Sequence, residues 1–277
     1  MQFTAIAWNL FHGRDYPPDP ELFTWRSRLL RVSERNETHV QVNRDLTAEF
    51  ASVLAAADWD VALLQETPPR YAEPLAGACE AEWHRTLTSR NGLAPLRRLA
   101  ARINPDLIAS GEGGSNLTLV RRGGPLGAIV ERREVAIHEG RPERRAMALT
   151  RTASGICLAN LHATNDIRAM AVADVLLAAD AAVEFSRGAP LLFGGDLNLR
   201  PAQDPAVFAE LAERHGLAAP TGPGRIDHLL ARDVTVLSPP APLPPERREI
   251  DAGGLALRLS DHDPVEARFE TASMAGK

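Results

Sequence analysis

The stretch LLFGGDLN, residues 191–198, places an acid and an amide directly after an apolar run. Residues 191–193 are typical of a buried strand, because they are apolar and are followed by a pair of glycines. A carboxylate at the tip of a buried strand costs free energy unless it is paired, hydrogen-bonded or bound to a metal ion. Taken alone, Asp196 is equally compatible with a turn residue or a helix cap.

Polar residues stand in the same way at the ends of other apolar runs. The further motifs are WN at residues 8–9, LLQE at 63–66, NLH at 160–162, RIDH at 225–228 and LSDHDP at 259–264. Their Asn, Glu, His and Asp side chains are costly to bury without a partner. Six strand ends of this kind argue against a separate turn or cap at each one. They predict that the strand ends meet at one polar site.

Short β-rich runs alternate with a few helical segments along the chain. Apolar spacing predicts helices over residues 42–57, 167–185 and 205–215. Strands are predicted over residues 3–8, 61–65, 117–120, 126–137, 146–151, 156–161, 191–193, 226–230, 234–237, 255–259 and 265–269. The proline-rich stretch at 238–245 is interpreted as a stiff surface connection. We expect an α+β fold with packed sheets in a single domain of residues 1–270, and a disordered tail at 271–277.

The composition of the 277-residue chain is that of a globular protein, with 44% hydrophobic and 24% charged residues. Its 31 basic and 36 acidic residues leave a net charge of −5, which argues against a protein coated with positive charge for nucleic acid. No apolar run reaches the roughly 18 residues of a membrane helix, and the N-terminus lacks a signal-peptide pattern. Two cysteines without CxxC spacing fit a reducing compartment. We therefore expect a cytoplasmic monomer without a membrane span.

The ordered set WN, QE, NLH, GDLN, RIDH and SDHDP resembles the endonuclease/exonuclease/phosphatase superfamily, which has the DNase I-like fold. The resemblance extends from Trp8 to Pro264, which is essentially the whole chain. It implies a four-layer αββα sandwich, in which helices flank two packed, mostly antiparallel or mixed β-sheets. It also implies a site at one rim of the paired sheets, in agreement with the polar strand ends.

The resemblance assigns a metal site. Glu66, assisted by Asn9, is expected to hold a divalent cation, and Asp261 is expected to contribute to a second metal position. Mg²⁺ is the expected cofactor, with Mn²⁺ as a substitute, because carboxylate and amide oxygens suit these hard cations. By this likeness, the ion neutralises charge on the phosphorus and steadies the leaving oxygen.

The same resemblance assigns the reaction to four further side chains. Asp196 is expected to orient and deprotonate the attacking water, and Asn198 is expected to position that water or a phosphate oxygen. His262 is expected to hydrogen-bond a non-bridging phosphate oxygen or to act as an acid, with Asp227 holding its imidazole in one tautomer. These roles describe a direct in-line attack by water. A Ser-His-Asp hydrolase is not predicted, because no GxSxG motif is present.

His162 and three further residues bear on the substrate. In NLHATN, residues 160–165, a histidine stands where exonuclease III-like abasic-site enzymes share a Tyr-x-Pro-Asn type of segment. The segment is more similar to DNase I, sphingomyelinases and inositol-phosphate phosphatases, and it predicts a second phosphate-facing histidine with Asn165 nearby. The alternative is a histidine satisfied by a backbone carbonyl. Asn116 and Arg145 are further substrate-binding candidates, with a turn and a solvated strand edge as their respective alternatives.

Arginine clusters bear on whether the substrate is nucleic acid. Residues 84–105 hold five arginines and no acid, and residues 116–151 hold eight arginines against four glutamates. Such clusters fit a phosphate backbone, or equally solvated faces and ion pairs. Aromatic residues do not interleave with the arginines of 84–105, so no stacking platform is predicted there. Residues 11–41 are interpreted as an unstructured or inserted segment that carries specificity.

We therefore predict a divalent-metal-dependent phosphoester hydrolase, specifically a phosphodiesterase or endonuclease that acts on nucleic acid. Two alternatives stay open. The first is a phosphatase or phosphodiesterase for a small phosphorylated metabolite or phospholipid headgroup, which weak salt dependence would distinguish. The second is a catalytically silent scaffold that binds a phosphorylated ligand. The complete set of acidic, amide and histidine side chains argues against that scaffold.

Overall fold

Two mixed β-sheets form the centre of the protein in a computed structural model, which describes residues 1–88, 103–107, 113–140 and 143–271. The strands are β1 (Gln2–Asn9), β2 (Glu34–Arg35), β3 (Val40–Gln41), β4 (Val61–Gln65), β5 (Ala81–Leu87), β6 (Ser115–Arg121), β7 (Ile129–His138), β8 (Arg145–Thr152), β9 (Cys157–His162), β10 (Leu191–Asp196), β11 (Asp227–Arg232), β12 (Thr235–Pro242), β13 (Glu249–Asp251), β14 (Ala256–Arg258) and β15 (Val265–Glu270). One sheet has the order β12-β15-β1-β4-β6-β5, and the other has the order β11-β10-β9-β8-β7. The pairs β2-β3 and β13-β14 form separate two-stranded ribbons.

The described part of the chain also contains α-helices. They are α1 (Trp25–Leu30), α2 (Thr47–Ala56), α3 (Ala72–Ala78), α4 (Arg168–Ser186) and α5 (Pro205–His215). The two helices predicted in the second half are confirmed. The helix predicted from residue 42 begins only at Thr47, because β3 pairs with β2 just before it. Helix α3 and strand β5 have no counterpart among the predicted elements, and the segment 11–41 contains α1 and the β2-β3 ribbon rather than unstructured chain.

Side-chain alternation along β1 explains the four layers. Alternate residues of this strand belong to two different cores, one beneath the helices and one between the sheets. The first core joins β1 to α2 and α3 and contains Ile6, Trp8, Phe50, Leu54 and Leu75. The core between the sheets contains Ala5, Ala7, Leu63, Leu158 and Leu192. Helices α4 and α5 cover the far face of the second sheet through a third core with Val175, Phe185, Phe193 and Leu211. The predicted αββα sandwich is therefore confirmed.

Two parallel strand pairs bring the polar motifs to one edge of this sandwich. β1 runs parallel to β4, with Asn9 opposite Gln65 at their carboxyl ends. β9 runs parallel to β10, with His162 opposite Asp196. The antiparallel strand β11 begins at Asp227, which lies opposite the same Asp196. Because the sheets pack face to face, these strand ends converge on one site.

The glycine pair of GGDLN is required by a close approach of backbones inside the second sheet. Gly195 has φ +127°, and a Cβ atom placed there would lie 2.0 Å from the carbonyl oxygen of Leu161 on β9. A Cβ at Gly194 would lie 2.6 Å from the carbonyl oxygen of His228. Only glycine avoids both clashes. The strand therefore continues through both glycines to Asp196 instead of ending at residue 193.

The proline-rich stretch 238–245 differs from the predicted loop. Its first half continues β12 as far as Pro242 at the edge of the six-stranded sheet, with register shifts on both sides of Ser238. Proline is tolerated at an edge, since the outer backbone positions need no ladder hydrogen bond.

The last described residue is tied to the first. Thr271 N donates to Met1 O at 2.9 Å, and the Met1 amino group donates to Thr271 O at 2.7 Å. Residue 271 is therefore part of the fold, and the remainder of the predicted tail, 272–277, lies outside the described residues. Within the described chain, no helix combines the length and the apolar character needed to span a membrane.

Candidate active site

Asp196, at the end of β10, is the hub of the polar site. Its side chain is buried, and its Oδ2 accepts a hydrogen bond from Asn9 Nδ2 at 3.0 Å. The same oxygen lies 3.6 Å from His162 Nε2 and 3.8 Å from His262 Nε2. Residues of four of the six sequence motifs therefore meet at one carboxylate oxygen.

His262 is fixed in place by Asp227 and by its own loop. Its Nδ1 lies 2.8 Å from Asp227 Oδ2. Its backbone N–H donates to Ser260 Oγ, and that hydroxyl donates in turn to the carbonyl oxygen of Asn9 at 2.6 Å. Trp8 Nε1 donates to the His262 carbonyl at 2.9 Å. The end of β1 thus holds the SDHDP loop against the site.

Glu66 follows β4 in a left-handed backbone conformation, with φ +46°. This conformation is costly for a residue with a Cβ atom, and such positions cluster at functional sites. Its Oε2 lies 3.1 Å from His12 Nε2, and its Oε1 lies 3.8 Å from His162 Nε2. The Glu66 side chain keeps 20% of its surface exposed, so the carboxylate stands at the opening of the site.

His12 lies in the site but belongs to none of the six sequence motifs. It lies in the segment 11–41, and it also has a left-handed backbone, with φ +53°. The available signal is its position three residues after Asn9 at the end of β1. Because the chain doubles back there, a residue beyond the strand end returns to the site.

The electrostatics of the site place an acid beside a base. Burial and the charge of Asp227 raise the pKa of Asp196 to about 7. Burial alone would lower the pKa of His262, but Asp227 and Asp196 outweigh it and raise this pKa to about 10. At neutral pH, His262 is therefore an imidazolium, and Asp196 is poised to accept a proton.

Glu66 stays ionised. Burial alone would raise the pKa of its carboxyl group, but the facing His12 and the more distant His262 outweigh burial and lower the pKa to about 2. An ionised carboxylate at the mouth of a buried polar site is suited to bind a cation.

Arg145 contacts His162. The guanidinium is buried, with 3% exposure of the residue, and its Nη1 lies 3.2 Å from His162 Nδ1. Burial, and then the charge of Arg145, lower the pKa of His162 to about 3, so this imidazole is neutral. Neither a solvated strand edge for Arg145 nor a backbone-carbonyl partner for His162 matches these contacts. The contacts give Arg145 a positioning role toward His162, and substrate binding by Arg145 stays a prediction.

Asn116 is also a supporting residue. It is fully buried on β6, and its Nδ2 donates to the carbonyl oxygen of Ala146 on the other sheet at 2.8 Å. Asn116 thus links the two sheets, and substrate binding by Asn116 stays a prediction.

Asn198 and Asn165 line one cavity, and Asn198 N donates to Asp196 Oδ1 at 3.1 Å. Asn198 has φ +53°, and its Nδ2 donates to the carbonyl oxygen of Ala163 at 3.1 Å. Both asparagines line a polar cavity of about 430 Å³. Arg168, Arg200, Asp166 and Asp204 line the same cavity, and Arg168 Nε is paired with Asp204 Oδ1 at 2.5 Å.

The acidic side chains fit a divalent cation. Burial and the nearby charge of Glu66 raise the pKa of Asp261, so the carboxylates of the site repel one another. Asp196 and Asp227 each bring one carboxylate oxygen within 4.8 Å of the other, whereas His262, equally close, is an imidazolium without a lone pair for a cation. Asp227 Oδ1 is buried and has no hydrogen-bond partner in the described chain. A hard cation would relieve the repulsion and satisfy carboxylate oxygens.

Asn9 makes the contacts of a positioning side chain. Its Nδ2 holds Asp196, and its Oδ1 accepts a hydrogen bond from Phe11 N at 2.9 Å. One lone pair of that oxygen is left for a cation. Its contribution as a metal ligand, like that of Asp261, stays a prediction.

Four of the eight arginines of residues 116–151 contact acids in the described chain, namely Arg132, Arg133, Arg145 and Arg151. Arg132 lies 3.7 Å from Glu82, while Arg133 and Arg151 lie 3.6 and 3.1 Å from Glu131. These contacts follow the ion-pair alternative for this cluster. The arginines at 90, 97, 98 and 102 of the other cluster lie outside the described residues.

Comparisons with known proteins agree with this geometry. The sequence model of the Endonuclease/Exonuclease/phosphatase family matches residues 6–262 of this chain. No curated protein matches the chain by sequence.

Solved structures share the fold at low sequence identity. A family protein from Bacteroides thetaiotaomicron superposes with a TM-score of 0.63 at 15% identity, covering 97% of this chain and 95% of that one. A mannosyl-6-phosphatase from the same species gives 0.64 at 14% identity, covering 97% and 99%. Truncated TDP2 from Caenorhabditis elegans gives 0.55 at 18% identity, covering 97% of each chain.

The family match spans nearly the whole chain and includes the strand ends that build the site. The chain therefore belongs to the Endonuclease/Exonuclease/phosphatase family, whose members are phosphoesterases.

Proposed function

We propose that the protein is a divalent-metal-dependent phosphodiesterase that cleaves nucleic acid by in-line attack of water. One observation carries the proposal: His262, held by Asp227 at 2.8 Å, faces the buried Asp196 across 3.8 Å. A charged donor and a carboxylate base thus stand side by side in one site. This pairing suits a reaction in which water loses a proton while a phosphate gains negative charge.

Each side chain has a distinct task in this reaction. Asp196, oriented by Asn9, takes the proton of the attacking water. His262 donates a hydrogen bond from Nε2 to a phosphate oxygen, because its Nδ1 is engaged by Asp227. The neutral His162 offers Nε2 on the same side of the site, 3.6 Å from Asp196. No covalent nucleophile is needed, and the Ser260 hydroxyl is already engaged by Asn9 and His262.

A divalent cation completes the site in this proposal. Glu66 would hold it, with Asn9 and Asp261 as further ligands, and Mg²⁺ or Mn²⁺ suits their oxygen atoms. When bound, such an ion supplies Lewis-acid stabilisation of the phosphate charge.

Arginines in two separate cavities, each of which also contains acidic side chains, support an extended substrate. Arg14 and Arg28 line a cavity near Glu66, and Arg168 and Arg200 line the polar cavity near Asn198. A polyanion has phosphates on both sides of the scissile bond, so it uses both sets of donors. A substrate with a single phosphate needs only one of these two sets of donors.

The second candidate is a phosphatase for a small phosphorylated metabolite. The polar cavity of about 430 Å³ beside Asn198 favours it, because amide and guanidinium groups suit a hydroxylated substrate. The structural neighbour from Bacteroides thetaiotaomicron is a mannosyl-6-phosphatase.

Salt dependence separates the two candidates. KM is measured for a short oligonucleotide and for mannose 6-phosphate at 50 and 200 mM salt, in the presence of Mg²⁺. With three or more phosphate contacts, we expect KM for the oligonucleotide to rise about tenfold or more, since bound counterions are released. Turnover of the monoester without oligonucleotide cleavage would replace the first proposal by the second.

A further inference from the structure

A cavity of about 230 Å³ lies apart from the groups that act on the phosphate in the proposed reaction. Its walls combine the rings of Phe11, Tyr16 and Phe23 with the guanidinium groups of Arg14 and Arg28 and the carboxyl groups of Asp15 and Asp106. We call it the aromatic pocket. All of these residues except Asp106 come from the segment 11–41, in which the sequence shows no readable pattern.

Backbone hydrogen bonds join the aromatic pocket to the loop that carries His262. Ser260 N donates to the carbonyl oxygen of Arg14 at 2.9 Å, and Tyr16 N donates to the carbonyl oxygen of Arg258 at 2.8 Å. Phe11 N donates to Asn9 Oδ1. A ligand group in the pocket is therefore held next to the loop that carries His262 and to the end of β1 that carries Asn9.

The aromatic rings of the pocket form a connected set with free surface. The ring centroids of Phe11 and Tyr16 lie 5.7 Å apart in an edge-to-face arrangement, and those of Tyr16 and Phe23 lie 5.3 Å apart. Tyr16 is 41% exposed. An exposed aromatic ring at a cavity beside an active site offers a stacking surface to a ligand.

Arg14 lacks an ion-pair partner among the described residues. Its guanidinium carbon lies 3.7 Å from the ring centroid of Phe11, and its Nε donates to the Phe11 carbonyl oxygen. No carboxylate of the described chain lies within 4.0 Å of it, although Glu66, Asp106 and Asp261 act on it from further away. The guanidinium is thus held flat on an aromatic ring with terminal N–H groups available for an anion.

The size and chemistry of the pocket fit one flat ring next to a phosphate. Its volume is below the roughly 300 Å³ at which pockets for drug-sized ligands begin, so it takes a single base and not a base pair. Stacking on aromatic rings does not depend on the identity of the base. An arginine beside the stack suits the attached phosphate.

We propose that the aromatic pocket binds a nucleobase of a single-stranded substrate adjacent to the scissile bond, with Arg14 on the phosphate that follows it. The inference rests on the proposed function and specifies its substrate: an unpaired nucleotide, held by stacking. The expectation that the arginine cluster of residues 84–105 offers no stacking platform is unaffected by this proposal. The aromatic pocket is built by a different segment.

The experiment compares two substrates with identical phosphates. One is a short oligothymidylate, and the other is an oligomer of the same length made of abasic tetrahydrofuran units. Both are offered to the parent protein, to Tyr16→Leu and to Phe23→Leu, which keep apolar volume but remove an aromatic face. Leu177→Ala is the control, because Leu177 is exposed on α4. Circular dichroism verifies that each variant is folded.

We expect Tyr16→Leu and Phe23→Leu to raise KM for the oligothymidylate about 5- to 150-fold, with kcat and the KM for the abasic oligomer unchanged. Equal effects on both oligomers, or no effect on either, would overturn the proposal. A raised KM for mannose 6-phosphate with an unchanged KM for the oligothymidylate would also overturn it, in favour of a sugar ring.

A binding experiment distinguishes failure of this inference from failure of the proposed function. An oligomer that carries 2-aminopurine is titrated with the parent protein, with Asp196→Asn and with the double variant Asp196→Asn/Tyr16→Leu. Stacking quenches the fluorescence of this base, so we expect quenching by the first two proteins and its loss in the third. Quenching without any cleavage by the parent protein would contradict the nuclease function and retain the pocket. Absence of quenching would overturn the pocket.

Discussion

His262 Nδ1 and Asp227 Oδ2 are joined by a hydrogen bond of 2.8 Å. The bond fixes which ring nitrogen of His262 is left for the substrate, because the remaining nitrogen, Nε2, faces Asp196 at 3.8 Å. Burial alone would lower the pKa of His262, but this contact, together with the charge of Asp196, raises it to about 10. The orientation of the imidazole thus depends on Asp227, and its charge depends on Asp227 and Asp196.

The first prediction concerns the positive charge of the His262 imidazole, which the variant Asp227→Asn destabilises. Asp227→Asn keeps the size of the side chain but no longer stabilises an imidazolium, so we expect kcat to fall about 100-fold or more. Steady-state kinetics on a phosphodiester measure the change, and Asp233→Asn, at an exposed site, is the matched control. Normal kcat in folded Asp227→Asn would show that the pair has no part in the reaction.

The second prediction concerns the metal. Glu66→Gln removes the ionised carboxylate at the mouth of the site, so we expect weaker Mg²⁺ or Mn²⁺ binding and at least about a 100-fold loss of turnover. Isothermal titration with Mn²⁺ measures binding directly, and thermal unfolding shows whether the fold is intact. Glu73→Gln, exposed on α3, is the control. Unchanged Mn²⁺ affinity in Glu66→Gln would exclude Glu66 as a ligand.

The third prediction concerns pH and stability at a position away from the reaction. Burial lowers the pKa of His84 from 6.5 to about 4, and its Nδ1 is hydrogen-bonded to Thr150 Oγ1 at 2.9 Å. Because the folded state disfavours protonation, the stability from this group is complete above pH 6.5 and is lost as the pH falls towards 4. The slope approaches about 1.4 kcal/mol per pH unit.

Urea unfolding at a series of pH values compares the parent protein with His84→Gln, which does not titrate. We expect the difference between the two free energies of unfolding to change between pH 6.5 and about 4 and to be constant above this range. A difference that does not vary with pH would show that His84 is free to charge in the folded protein.

The fourth prediction tests the close strand approach beneath the site. Gly195→Ala places a methyl group about 2.0 Å from the Leu161 carbonyl oxygen at φ +127°, so we expect a loss of more than about 3 kcal/mol in the free energy of unfolding. Gly222→Ala is the matched control, since no atom lies within 4 Å of the added Cβ. We expect it to change stability by about 0.5 kcal/mol or less. Equal effects of the two substitutions would refute the close approach.

Much of the fold could be predicted from the sequence, because apolar runs and glycine signals are local. The strand at Val61–Gln65 and the helix at Pro205–His215 have the predicted bounds. Strand β5 is missed, since half of its residues are polar and it has no clear alternation. The extension of β12 into Pro242 is missed because proline is acceptable only at an edge, and an edge is a property of the finished sheet.

The site was predictable where a polar residue ends an apolar strand. Asn9, His162 and Asp196 end a strand and Glu66 follows one directly, whereas His262 lies in the loop before the last strand. A sequence does not show which polar side chains face inward, and Arg145 and Asn116 are both buried. His12 and the aromatic pocket were missed because they lie in a turn and an irregular segment, where contacts depend on the path of the chain and not on periodicity.

The most direct test of the proposed function varies the divalent metal and removes the proposed general base, Asp196. Purified protein and Asp196→Asn are assayed on supercoiled plasmid, bis-p-nitrophenyl phosphate and p-nitrophenyl phosphate, each with Mg²⁺, Mn²⁺ or EDTA. We expect plasmid nicking and diester hydrolysis by the parent protein with either metal, none with EDTA, and none by Asp196→Asn. Nicking that persists in EDTA or in Asp196→Asn would contradict the account, as would hydrolysis of the monoester alone.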